Sequence, residues 1–390
     1  MKLALLAGNR LSPWHFPAFS MLRGNPAITA FCTHPQTRGD SAISSNDTLP
    51  FPVEFIYFDT QAGPLARRVR NILLSRYAGR EPHIFPFHER LQGFDIIQSW
   101  ELFTDWSAQA VAARAQWGIP LSVMVWDNIP FNMERNPVRR EIKRQVAAQA
   151  DRFIVYTERS LRMLDLEHVP KERIVKIDPG VDTDKFSPGP ADRAAFALDP
   201  EDFVILFVGW FLPRKAIDFL LLALRELVRD PALRRHRLRL MMVGPDQGRD
   251  RIEHLAQRLG VREACLFAGA LPYEQMPDAF RAADLFVLPS IATPEWQAQI
   301  GMTLIEAMAA GTPVVSTYTG AIVEIVEEAA VLCQPNDFVA LYDAITDLIR
   351  NAPRRRELAH HGREHALARF SLPRCADVLS GIYDDMMRRK

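Results

Sequence analysis

The run Asp284-Leu-Phe-Val-Leu-Pro-Ser290 constrains the fold more than any other stretch of this 390-residue chain. Four apolar residues, Leu285 to Leu288, stop at Pro289-Ser290. The run is too short for a core helix and lacks the alternation of a half-exposed strand. It reads as a strand buried on both faces, and such strands belong to parallel sheets covered by helices. The continuation agrees. After a loop, Gly301 opens a helical run, Thr303 to Ala310, and Gly311 with Pro313 ends it before a second apolar run, Val314 to Ser316. Gly301, Met302 and Thr303 then present backbone N–H groups at a helix N-terminus on the carboxyl edge of a parallel sheet, a place suited to a phosphate. Glu306 stands one turn in, where a carboxylate can accept from two neighbouring hydroxyls, as on a ribose. The same strand-loop-helix-strand unit also occurs in doubly wound proteins that bind no phosphate.

The rest of the chain repeats this alternation. Strands are expected at Leu3–Ala7, Ala27–Phe31, Val53–Phe58, Asp95–Gln98, Leu121–Val125, Phe153–Tyr156 and Ile174–Ile177, with helices at Phe103–Trp117, Pro137–Ala150 and Ser160–Leu166. Pro64–Tyr77 reads as an amphipathic helix: Leu65, Val69, Ile72, Leu73 and Tyr77 share a face, with Arg67, Arg68, Arg70 and Arg76 around them. That basic face suits either anionic lipid or plain water. The Pro/Gly-rich run from Asp178 to Pro188 marks a linker, which sets a domain boundary near residue 190. Beyond it the strand-helix alternation is cleaner: Val204–Val208, then Gly209-Trp210 and Pro213-Arg214-Lys215, a helix from Phe219, and strands at Leu238–Val243 and Cys265–Ala268. Helices at Phe338–Arg350, Arg354–Phe370 and Pro373–Lys390 close the chain.

Composition removes several classes. Lys plus Arg and Asp plus Glu are both 47, so the net charge of zero argues against a nucleic-acid binder. No apolar run reaches 18 residues, so nothing is expected to span a membrane, and the start at Met1 reads as a first strand rather than a leader. The four cysteines, Cys32, Cys265, Cys333 and Cys375, are scattered without metal-ligand spacing, which fits a reduced, cytoplasmic setting. His360, His361 and His365 fall at helical spacing, as a metal pair would, but Arg and Glu surround them as on a solvated face.

The stretch from Leu285 to Val315 resembles the signature of glycosyltransferase family 4, the retaining, nucleotide-sugar-dependent transferases with the GT-B fold. Their pattern is an apolar strand ending in Pro-Ser, a Glu, seven residues, a second Glu, then Ala-Met-Ala-x-Gly-x-Pro-Val-Val. The second Glu is Glu306 and the run after it is Ala307-Met-Ala-Ala-Gly311-Thr-Pro-Val-Val315. The first Glu is missing: Ala298 stands eight residues before Glu306. The crossing Gly180-Val-Asp182 with Phe186-Ser-Pro188 also resembles the family's interdomain segment, and Gly320 with Glu324 match its Gly-Gly-x-x-Glu.

The resemblance implies an α/β GT-B architecture of two Rossmann-like domains facing across a cleft. These are residues 1–190 for the acceptor, 191–370 for the nucleotide sugar, and a C-terminal helix, 371–390, crossing back to the first domain. It implies transfer of a sugar from a nucleoside diphosphate to an acceptor hydroxyl. Gly8, Gly209, Ala298, Gly301, Met302, Thr303 and Glu306 would lie around the donor. Lys215 matches the family's diphosphate lysine; Trp210 replaces its arginine, and the adjacent Arg214 could supply that charge. Where the family often carries a His beside the transferred sugar this chain has Trp126, followed by Asp127, which could orient an acceptor hydroxyl, accept a proton, or simply cap the next turn. No Asp-x-Asp loop stands where a metal-dependent transferase needs one, so no metal or other cofactor is expected. Partners implied are a nucleotide sugar and a carbohydrate or lipid-linked acceptor, with peripheral contact at the inner membrane face. The departures at Trp126, Trp210 and Ala298 keep open a non-catalytic nucleotide-sugar-binding protein on the same fold, and a nucleotide-sugar epimerase shares the architecture. A lost hydrogen bond from a charged group at Ala298 costs on the order of 1.5–3 kcal/mol, about ten- to a hundredfold in rate.

Overall fold

Runs such as Leu3–Leu6 and Leu285–Leu288 are wholly buried, which leaves their backbone groups no partner but another strand. In the computed structural model, which describes residues 1–8, 16–33, 50–56 and 87–389, they pair into two all-parallel sheets. The helix expected at Pro64–Tyr77 and the end of the third strand beyond Ile56 lie outside the described residues.

The chain divides into two units, Met1–Gly180 with Pro373–Lys390, and Val181–Leu372. Residues 181–190, placed in the first domain by the Pro/Gly run, pack with the second unit. Phe186 is fully buried there, its ring 5.5 Å from Tyr273 and 6.0 Å from Phe280. Arg363 donates to the carbonyls of Thr183 at 2.9 Å and Phe186 at 2.8 Å.

The first unit holds β1 (Lys2–Leu6), β2 (Ala27–Thr33), β3 (Val53–Ile56), β4 (Ile96–Trp100), β5 (Leu121–Val125), β6 (Arg152–Val155) and β7 (Ile174–Lys176), in the order β3-β2-β1-β4-β5-β6-β7. The helix Asp105–Trp117 is capped by Thr104, whose side chain accepts from Ser107 N, and is ended by Gly118 in the left-handed region. The helix Pro137–Gln149 starts on Asn136 with proline in its first turn. The C-terminal helix, Leu372–Arg388, belongs to this unit from Pro373 onward. Its Tyr383 hydroxyl, fully buried, donates to Gln98 Oε1 at 2.9 Å, and Asp385 meets Arg152 at 2.6 Å.

The second unit holds β8 (Asp202–Val208), β9 (Arg237–Val243), β10 (Cys265–Gly269), β11 (Leu285–Leu288), β12 (Val314–Thr317) and β13 (Val331–Cys333), in the order β10-β9-β8-β11-β12-β13. Only β13 was not anticipated; its three residues carry too little periodicity to register. In both units the order reverses at one point, between β1 and β4 and between β8 and β11. There the connections leave on opposite sides and open a crevice beyond the strand ends, where ligands of such sheets bind.

Candidate functional site

In the second unit the segment after β8 is shaped by close backbone approach. A side chain on Gly244 would stand 2.0 Å from the Gly209 carbonyl oxygen, and one on Gly248 2.5 Å from that of Phe211. Gly209 itself has φ +150°. The chain then makes a short 3-10 turn, Pro213–Lys215, passes through Ala216 at φ +52°, and enters the helix Ile217–Arg229. Arg214 and Lys215 are thereby held half-buried beside the switch point, and neither has a carboxylate partner among the described residues. Burial, with Arg214 next to it, pulls the Lys215 ammonium down from 10.5 to about 8. Two adjacent cations, partly desolvated and unpaired, are an incomplete arrangement that an anion would complete.

The loop after β11 comes to these cations. Ile291 N donates to the Arg214 carbonyl at 2.9 Å, and Thr293 and Trp296 form an isolated antiparallel bridge. That turn lays the Trp296 ring 4.1 Å from the Arg214 guanidinium and 5.7 Å from the Lys215 ammonium. Ser290 Oγ, at the end of the strand, is buried with no hydrogen-bond partner among the described residues. Its carbonyl accepts from Thr317 Oγ1 and, at 3.0 Å, from Thr319 Oγ1.

Gly301 sits at φ +73° as the N-cap of the helix Met302–Ala309, with no side-chain cap. The N–H groups of Met302 and Thr303 have no acceptor among the described residues. Glu306, one turn on, is 4% exposed, with the Tyr273 hydroxyl beside it. Burial pushes its carboxyl up to about 7 against the opposing pull of that hydroxyl and of Lys185. Ala298 is buried, and its carbonyl accepts from Ala321 N at 2.8 Å. A side chain on Gly320 would stand 2.3 Å from that same oxygen. Gly320 therefore serves to let the loop at Ala298 pass close by.

The first unit carries a different set. Asp127, 3% exposed, follows β5. Its Oδ1 accepts from Asn128 N at 2.9 Å, Ile129 N at 3.2 Å and Asn132 Nδ2 at 3.1 Å, so the side chain does cap the following turn. Its Oδ2 is buried with no hydrogen-bond partner among the described residues. Capping and an unused acceptor coexist on one carboxylate. Glu101, just past β4 at φ +60°, accepts from Trp126 N at 3.1 Å and Asp127 N at 3.2 Å. Burial, and then Asp127, push its carboxyl up to about 8. Gly8 follows β1 at φ +77°, and no described residue stands where a side chain would, so the backbone angle favours glycine there.

The structure thus gathers Arg214 and Lys215 beside the loop leading to Ala298 and Gly301, with Glu306 on the helix that follows. Asp127 and Gly8 belong to the other unit. Trp296, Tyr273 and Glu101 were not singled out from the sequence. An aromatic residue in a strand-to-helix loop is a usable signal for Trp296, and an acid directly after a buried strand is a weak one for Glu101. Of the histidines, His360 pairs with Glu364 at 3.3 Å, and His365 is bonded to the Ile325 carbonyl at 2.9 Å. No cluster of metal ligands occurs among the described residues.

Two parallel Rossmann-like sheets with a C-terminal helix on the first unit define the GT-B class, and comparison with solved structures agrees. HepE of Anabaena, in complex with UDP-glucose, matches with a TM-score of 0.77 at 17% identity over 100% of both chains. Sucrose-phosphate synthase of Thermosynechococcus elongatus matches at 0.75 and 20% identity over 100% of both. Residues 190–365 match the model of the glycosyl transferases group 1, and residues 45–185 that of glycosyltransferase family 4. Among curated proteins, the D-inositol 3-phosphate glycosyltransferase of Stackebrandtia nassauensis is 30% identical over 76% of this chain and 69% of its own length. That of Mycolicibacterium smegmatis is 31% identical over 70% and 64%, and that of Nocardia farcinica 33% over 63% and 55%. The chain belongs to glycosyltransferase family 4. It spans between about half and two thirds of the length of these relatives.

Proposed function

We propose that this protein transfers a sugar, with retention, from a nucleoside diphosphate to an acceptor hydroxyl. The observation that carries the reading is the unpaired Arg214–Lys215 couple at the β8/β11 switch point, next to a loop that ends in uncapped amides at Met302 and Thr303. In the reaction the bond from the anomeric carbon to the β-phosphate oxygen breaks, the bond to the acceptor oxygen forms, and the acceptor proton leaves on a diphosphate oxygen. Lys215, Arg214 and the amides stabilise the charge as it grows on the departing group, which is electrostatic catalysis by preorganised donors. The arrangement calls for no metal or other cofactor. Glu306, set by Tyr273, accepts from the ribose hydroxyls, and Gly209 lets the backbone come close to the donor. Asp127 offers Oδ2 to the acceptor hydroxyl, with Gly8 at the neighbouring strand end.

The names of the relatives suggest where to begin: UDP-glucose as donor, and a phosphorylated polyol as acceptor. Assembly of a polysaccharide or glycolipid at the inner face of a membrane is the setting the family makes reasonable. Ala298 supports a second reading, binding of a nucleotide sugar without turnover, since no acidic side chain stands at that buried position. Calorimetry with a panel of nucleotide sugars, run beside an assay for released nucleotide, separates the two. Binding with release across an acceptor panel is expected; binding with no release supports the second reading. In Ala298→Glu, faster donor turnover would identify the position as a missing sugar ligand, and no gain would remove that idea.

A further inference from the structure

Arg214 and Lys215 are neighbours in sequence, both carry positive charge, and their only close ring partner among the described residues is Trp296. A guanidinium on a flexible stem with no carboxylate to hold it would sample many positions. Here it lies 4.1 Å from the centre of the indole, a stacking distance. The indole is itself fixed. Thr293 N donates to the Trp296 carbonyl at 2.7 Å and Trp296 N returns to the Thr293 carbonyl at 3.3 Å, so the ring rides on a closed turn. The base of that turn is tied to the cation's own backbone, because Ile291 N donates to the Arg214 carbonyl at 2.9 Å. Arg214 is thus gripped at both ends by the loop that follows β11, its main chain by Ile291 and its head by Trp296.

We propose that Trp296 is the positioning residue that makes Arg214 a diphosphate ligand, and so fixes two cations rather than one on the leaving group. The ring neutralises part of the repulsion between Arg214 and Lys215 before an anion arrives. It also keeps the guanidinium in the half-buried place where a phosphate gains most from it. The ring acts through Arg214 and need not touch the nucleotide. This inference rests on the proposed donor site and adds to it the residue that sets how strongly that site holds a diphosphate.

The test is calorimetric titration with UDP, GDP and ADP, followed through with the tightest of the three, and with inorganic pyrophosphate as a probe lacking a base. Lys215→Ala tests the site itself, and Trp296→Leu, Arg214→Ala and the double variant test the inference. Trp296→Leu is expected to weaken both probes about 3- to 30-fold, the range of a partly desolvated cation–π contact. Arg214→Ala is expected to weaken them at least as much, and the double variant no further than Arg214→Ala alone, as coupled residues behave. Trp296→Phe, which keeps a ring, should restore most of the loss; a purely steric role for the loop would not follow that order. If Lys215→Ala weakens binding about ten- to a hundredfold while Trp296→Leu leaves it unchanged, the inference fails and the donor site stands. If the Trp296 and Arg214 losses add in full, the ring acts independently, as by stacking on a base, and the inference also fails. If Lys215→Ala leaves affinity for both probes untouched, the donor site itself is wrong.

Discussion

Among the described residues, the charged groups beside the reversal of strand order at the carboxyl end of the first sheet are acids, and they are largely used up by their own backbone. Glu101 accepts the amides of Trp126 and Asp127, and Asp127 Oδ1 accepts those of Asn128 and Ile129. At the equivalent end of the second sheet the charged groups of the turn are cations, and among the described residues they have only an aromatic ring for company. The strand order is the same through six strands. Topology therefore fixes where a ligand can be met, and the side chains decide its sign and whether the site is complete without it. Among the described residues, the acidic end is complete except for one carboxylate oxygen. At the basic end neither Arg214 nor Lys215 has a carboxylate partner among the described residues.

The largest effect should fall on the complete end. Glu101→Ala leaves two amides, those of Trp126 and Asp127, without their acceptor, at about 1–3 kcal/mol each when buried, offset in part by relief of a desolvated carboxylate. We expect a net loss of about 2–4 kcal/mol, read as a lower urea midpoint, with nucleoside diphosphate affinity unchanged. An unaltered midpoint would show that these amides do not depend on Glu101. At the incomplete end the balance is reversed. Lys215→Ala removes a charged donor worth about 1.5–3 kcal/mol, so affinity for a nucleoside diphosphate should fall about ten- to a hundredfold while the urea midpoint holds or rises. A fall in both together would mean that Lys215 is part of the packing and not a site in waiting.

How much of this contrast could be read from the sequence follows from its range. The strand Leu285–Leu288 was delimited to the residue, and Leu121–Val125 likewise, because continuous apolar runs between breakers are local signals. The Gly301 helix start was equally legible, since a left-handed cap is written in one residue. The Arg214–Trp296 stack was not, for 82 positions separate its members and only the sheet brings them together. Nor was Glu101, whose partners are backbone amides 25 and 26 residues away that leave no mark on composition. Residues 181–190 join the second unit and not the first for a related reason. Pro and Gly density reports where the chain turns, but the buried ring of Phe186 decides which core it joins.

Glu306 sharpens the comparison, because it is a buried acid at the basic end. Its carboxyl titrates near 7 when folded and near 4.5 when unfolded. Between those values the folded chain binds the extra proton, so stability contributed by this group falls as pH rises from about 4.5 to about 7. Glu306→Gln should therefore raise the thermal midpoint by a few degrees at pH 8, on the scale of about 2–4 °C per kcal/mol for units of this size, and change it little at pH 4.5. It should also weaken binding of a nucleoside diphosphate and narrow the preference for ribose over 2′-deoxyribose. A stabilised variant with full affinity would leave the buried acid without a role in binding.

The smallest effect is the pH dependence of the basic end, and it is the most specific. Lys215 titrates near 8 in the folded protein and near 10.5 unfolded. Below about pH 8 it is charged and ready for an anion. Above that value a diphosphate must bring the proton back with it, so affinity should fall toward tenfold per pH unit, until the higher pKa of the bound state is passed. Stability without ligand should move the other way: between about 8 and 10.5 the unfolded chain binds more protons, so the unliganded fold gains as pH rises. Calorimetric titration with UDP from pH 7 to 9.5 reads the first trend and thermal melts without nucleotide read the second. Lys215→Arg, which keeps its charge throughout, should flatten both. A wild-type affinity that stays level across pH 8 would mean that Lys215 meets no phosphate, and the two sheet ends would then differ in sign without differing in use.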